Sequence, residues 1–94
     1  MPRNATIPAV QNQWTELTDG DVSTQVMFQN KGGYSVHFQA TADANAPTSL
    51  GGAVEYQPGQ GERDTLANVF PGVSGAVRLW VFAQVGGSVA IQHG

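Results

Sequence analysis

Two histidines, a few acidic clusters and scattered serines are the groups in this 94-residue chain that could carry catalysis or hold a metal. Histidine is the usual general base near neutral pH, and a serine nucleophile needs such a base plus a third group to orient it. His37 stands between Val36 and Phe38, with Ser35 and Gln39 beside it. In a small hydrolase, Asp43 or Asp64 would be the orienting carboxylate. No Gly-x-Ser-x-Gly elbow occurs, since Val73-Ser74-Gly75 lacks the first glycine. His37 therefore reads as a solvated or interface histidine, and His93, beside the last residue, reads as mobile. Asp19-Gly20-Asp21 supplies two hard oxygen ligands, whereas calcium takes about six to eight oxygens and the longer calcium-loop spacing is missing. That triplet reads as a tight turn, and Glu62-Arg63-Asp64 reads as a solvated charge cluster. Gly32-Gly33, Gly51-Gly52 and Gly86-Gly87 fall between strand-like segments, so none opens a helix that could hold an anion. The chain has no cysteine, which removes disulfides, thiolate metal sites and thiol nucleophiles. The expectation is a protein that is not an enzyme, with no cofactor and no metal.

Aromatic residues are the remaining chemical signal. Trp14, Tyr34, Tyr56, Trp80 and Phe82 would suit a sugar platform or a stacking surface for single-stranded nucleic acid. The net charge of −3, with Arg3, Lys31, Arg63 and Arg78 scattered along the chain, argues against nucleic acid. Tyr34 and Tyr56 fall on expected core faces, which leaves Trp14, Trp80 and Phe82. A core or subunit-interface role outweighs a ligand platform for them, because buried aromatics dominate interface energetics. A carbohydrate-binding module with Trp14 and Trp80 as its platform is the alternative.

The elements that must position these residues are strands. Along Ala76–Val85, Val77, Leu79, Val81, Ala83 and Val85 point one way, and Ala76, Arg78, Trp80, Phe82 and Gln84 the other. One face is wholly apolar; the other carries two large aromatics, so Trp80 and Phe82 need a cover from a second layer, a subunit or a ligand. Gly86-Gly87 then reads as a tight turn into a second strand over residues 88–92. A clearer hairpin runs through residues 22–30, a turn at Lys31-Gly32-Gly33, and residues 34–41, because both arms alternate in the same sense. Short strands are expected at 14–17 and 53–57, a loop at 42–52, and a less regular stretch at 60–75 whose one helical candidate is 62–69. Six or seven short strands with regular turn signals (Pro58-Gly59 and Pro71-Gly72 among them) predict an all-β, single-domain antiparallel β-sandwich or a small barrel.

Residues 1–12 contain Pro2 and Pro8 and show no periodicity. They read either as a disordered terminus or as an extended N-terminal arm that pairs with a neighbouring subunit through Ile7 and Val10. The β-sandwich domain is then 13–94. The sequence has 12 Gly and only 12% charged residues, against roughly 25% in an average domain. No apolar run approaches the ~20 residues of a membrane helix, and the first residues lack a signal-peptide core. These features predict a soluble product made in a cytoplasm, with no membrane partner.

Several segments between residues 26 and 92 resemble small β-rich proteins of tailed bacteriophage particles. They are the Val26-Met27-Phe28-Gln29-Asn30-x-Gly strand end, Val36-x-Phe38-x-Ala40-Thr41, Ala46-Pro47-Thr48-Ser49, the Gln57-Pro58-Gly59-Gln60 turn, and Leu79-Trp80-Val81 with Gly86-Gly87-Ser88-Val89. Each is a strand with its turn. The resemblance implies a jelly-roll-like sandwich in the capsid decoration, cement or head-fibre class. It also implies a homotrimer bound to the major capsid protein on the virion exterior, with no catalytic motif to carry over. Ile7, Val10, Trp14, Arg78, Trp80 and Phe82 are the residues expected at a subunit or capsid interface, with a receptor-binding or tail-adaptor protein as a further alternative.

Overall fold

Apolar side chains at every second position make a strand one-faced, and a one-faced sheet must bury that face against another layer. The computed structural model, which describes residues 2–94, solves this with two packed sheets. The strands are β1 (Arg3–Ala9), β2 (Trp14–Glu16), β3 (Gln25–Asn30), β4 (Val36–Thr41), β5 (Val54–Tyr56), β6 (Gly61–Thr65), β7 (Arg78–Phe82) and β8 (Gly87–His93), with one helical turn, α1 (Leu66–Val69). The first sheet has the order β1-β8-β3-β6 and the second β2-β7-β4-β5. Each named pairing is antiparallel. The fold is thus the expected all-β sandwich.

The core lies between the sheets. Val26, Phe28, Val89 and Ile91 from the first sheet face Val36, Phe38, Ala40, Leu79 and Val81 from the second, and none is more than 2% exposed. Full burial of such a side chain contributes roughly 1.5–3 kcal/mol. Phe28 meets Phe38 across the gap at 4.7 Å between ring centroids, and Tyr56 presents its edge region to both, at 5.5 and 5.0 Å. Burial, and secondarily the charge of Glu62, pushes the Tyr56 phenol above its usual range.

Neither expected hairpin forms. The chain changes sheet at every connection except β4–β5, so the Lys31-Gly32-Gly33 turn links β3 to β4 in opposite sheets, and Gly86 links β7 to β8 likewise. Same-sense alternation shows only that two strands turn their apolar faces to a common core. It is satisfied equally by pairing side by side and by stacking face to face, and here the strands stack. Asn30, fully buried at the end of β3, organises this corner. Its amide donates to the Tyr34 and Tyr56 carbonyls, its side-chain oxygen accepts from Gly32, and its backbone bonds Gly59 and Gln60.

The N-terminal segment is also a strand. β1 pairs along its length with β8 of its own chain, from Arg3↔His93 to Ala9↔Gly87. Pro2 and Pro8 look like breakers in the sequence, yet proline is tolerated on an edge strand when its nitrogen faces away from the partner. Ile7 consequently packs against the chain's own core. The irregular stretch contains β6, which lies along β3. Gly61 is required there, because any side chain would run into the Phe28 carbonyl. The helical candidate shrinks to α1, whose first turn is capped by the Thr65 hydroxyl accepting from the Asn68 amide at 3.3 Å.

Candidate functional site

The outer face of the second sheet gathers most of the residues singled out by the sequence. Pairing register gives its rows directly: Trp14, Phe82, His37 and Glu55 lie in line across all four strands. Glu16, Trp80 and Gln39 form the next row, and Arg78 opposes Thr41 in the third. β7 is central because its inner residues, Leu79 and Val81, have no exposed surface. Strict alternation then sets Arg78, Trp80 and Phe82 on the outer side.

Trp80 is nevertheless only 7% exposed. Its indole N–H donates to the Thr41 hydroxyl at 2.8 Å, and that hydroxyl donates in turn to the Asp43 carbonyl at 2.8 Å. Arg78 and Phe82 flank it along β7, and Glu16 and Gln39 flank it across the neighbouring strands. The cover that this aromatic face needs is therefore supplied for Trp80 by the chain itself, and little of its ring is open to a sugar. Phe82 is covered in part by Trp14, at 5.4 Å between centroids and a tilt of 57°. Both remain partly exposed.

An ion-pair group closes the other end of this face. Arg78 donates to Asp21 at 2.8 Å and to Glu16 at 3.1 Å. The hydrogen bond to Asp21, opposed by partial desolvation and reinforced by Glu16, pushes the Arg78 guanidinium further above its already high range. The carboxylates that answer Arg78 were missed in the sequence, although Glu16 sits on the same face of its strand as Trp14.

Val10 stands at the corner where β1 leads towards β2, beside a bridge between Gln11 and Ala83. It is 47% exposed, and Val85 in the β7–β8 connection is 55% exposed. The chain places both near the end of β7 that carries Phe82: Val10 precedes Gln11, which bridges Ala83, and Val85 lies two residues beyond Ala83. Ile7 belongs to the inner side of the first sheet and does not join this group.

The other chemical candidates separate. His37 is on the second sheet, whereas the Asp64 carboxylate at the edge of the first accepts from the amides of Thr65 and Asn68. Asp43 accepts from Asn45 in its own loop. His93 is buried rather than mobile. Its Nε2 accepts from the Asp19 backbone at 3.0 Å and its Nδ1 lies 2.8 Å from the Gly94 oxygen, which fixes the proton on Nδ1. Among the described residues no three His, Cys, Asp or Glu side chains gather as a metal site, and no helix is long and apolar enough to cross a membrane. No protein-family model matches this chain, and neither a curated protein nor a solved structure matches it.

Proposed function

We propose that this chain is a non-enzymatic virion structural protein that binds the outside of a bacteriophage capsid and stabilises it. The observation that carries the proposal is the Trp14–Phe82 pair, 5.4 Å between centroids and partly exposed, on a face where Trp80 is sealed by its own neighbours. Aromatic residues backed by rigid strands are the usual anchors of a protein interface. The strand orders, β1-β8-β3-β6 over β2-β7-β4-β5, support the jelly-roll winding that the resemblance implies. Low charge favours association once a complementary surface appears. Many copies on one shell would then add contacts across capsomer boundaries, where avidity multiplies modest affinities.

The test uses capsid shells assembled without this protein. Shells incubated with it should carry it through sedimentation and rupture at a higher temperature than bare shells. Retention without a rise in rupture temperature would contradict stabilisation, and loss of the protein on sedimentation would contradict capsid binding.

A further inference from the structure

The outer face of the first sheet carries a groove of about 650 Å³ at the end where β1 begins and β8 finishes. Small-molecule sites usually measure roughly 300–1,000 Å³. Pairing register builds the floor of the groove from the row Asn4, Gln92, Met27 and Arg63, with Gln25 two residues before Met27 on the same face. Its charge is one-signed. Among the described residues it is lined by two of the chain's four cations, Arg3 and Arg63, and by no aspartate or glutamate. Glu62 and Asp64 alternate to the other side of β6, and the Gly94 oxygen is turned to His93 Nδ1 at 2.8 Å. The polar lining is also unspent. Asn4, Gln25, Gln92 and Arg63 are exposed and make no side-chain hydrogen bond or ion pair within the described chain. Arg3, by contrast, donates to the Leu17 carbonyl at 2.8 Å, so Arg63 is the cation left to meet a ligand.

We propose that this groove binds a carboxylate-bearing oligosaccharide, with Arg63 holding the carboxylate and the amides of Asn4, Gln25 and Gln92 holding ring hydroxyls. A guanidinium presents a planar fork of N–H donors that matches a carboxylate in two parallel bonds. A carboxamide both donates and accepts, as a hydroxyl does, so each satisfies the other in both directions. Met27, 41% exposed between Gln92 and Arg63, offers an apolar contact to the C–H face of a sugar ring. Adjacent strands lie about 4.8 Å apart, close to the advance of one sugar in an extended β-linked chain. Neighbouring sugars therefore reach neighbouring strands along the row. One free cation is too few for a nucleic-acid backbone, whose binding rests on many phosphate contacts. An acidic peptide would answer Arg63 but would leave the amides without hydroxyls.

The groove lies on the opposite sheet from Trp14 and Phe82, so saccharide binding is independent of capsid binding and shell attachment is not its readout. The isolated protein is titrated at low salt with β-1,4-linked trimannuronate, with trigalacturonate and with sialyllactose, up to the millimolar range, and backbone amide shifts are followed by NMR. At least one of the three should move the signals of Gln25, Met27, Arg63 and Gln92 and reach saturation. The methyl ester of that saccharide keeps its hydroxyls and loses its charge, and should bind about tenfold or more weakly. Arg63→Gln should have the same effect on the acid, and Gln92→Ala should weaken it about threefold. Both side chains are exposed, and unchanged melting of each variant, read by circular dichroism, confirms that the fold is kept. Triglutamate, with carboxylates and no hydroxyls, should bind more weakly than the saccharide. No saturable shift with any of the three acids, shifts centred on Trp14 and Phe82, an ester or an Arg63→Gln variant that binds as tightly, or triglutamate matching the saccharide would each overturn the assignment.

Discussion

The outer faces of the two sheets follow the same alternation with opposite results. On the first sheet the rows read Asn4, Gln92, Met27 and Arg63, then Thr6, Ala90, Gln29 and Gly61. Amides and small residues dominate, Met27 is 41% exposed, and the surface depressions around Met27 and Arg63 lie here. On the second sheet the corresponding rows carry Trp14 and Phe82, then Glu16, Trp80 and Gln39. A large indole is nearly as buried there as a core residue. The difference teaches that an aromatic on an outer face is not by itself a sign of a partner. Its neighbours can seal it, and only the part left open is free to meet a partner.

The comparison breaks most visibly at its largest residues. Trp80→Ala should lower stability by about 3–5 kcal/mol, the range for emptying a buried aromatic site. Met27→Ala, at a matching outward position of the first sheet, should stay within about 0.5 kcal/mol. Denaturant unfolding of both variants measures the contrast, and equal effects would mean that Trp80 is not sealed as described. The histidines sharpen the same point at smaller scale. His93→Ala removes a buried ring together with its hydrogen bond to the Asp19 backbone and should cost about 1–3 kcal/mol. His37→Ala removes an outward side chain and should change stability by no more than about 0.5 kcal/mol. A larger loss at His37 than at His93 would reverse the reading of which histidine is structural.

Much of the fold is legible in the sequence because periodicity reports burial. The alternation of residues 26–30, 36–40 and 79–83 assigns their inward faces correctly. It fails beyond the ends of β7, where Ala76, expected outside, is buried and Val85, expected inside, is 55% exposed because the chain has left the strand. Alternation does not report pairing, which is why Val26–Asn30 and Val36–Thr41 look like a hairpin and are instead stacked across the core. Tyr34 is 60% exposed although it continues the apolar phase of β4, since the chain has already left the sheet there. β1 and β6 were hidden for different reasons. Two prolines mask β1, and β6 is an edge strand of charged residues whose inward positions are Glu62 and Asp64. On the outer face of the second sheet, the placement of Trp14, Arg78, Trp80 and Phe82 follows from residue type and phase. The burial of Trp80 was not, because it depends on Thr41, Glu16 and Gln39, which arrive from distant parts of the chain. His93 escaped for the same reason: its acceptor role is set by Asp19, 74 residues earlier.

The most direct test of the account compares the two faces on the capsid itself. Shells would be decorated with Phe82→Ala from the aromatic pair and, separately, with Gln92→Ala from the amide face, and retention measured by sedimentation. The account predicts that Phe82→Ala weakens attachment by about 2 kcal/mol, as for an interface hot spot, while Gln92→Ala binds as the unaltered protein does. Retention of Phe82→Ala together with loss of Gln92→Ala would contradict it and move the docking surface to the first sheet.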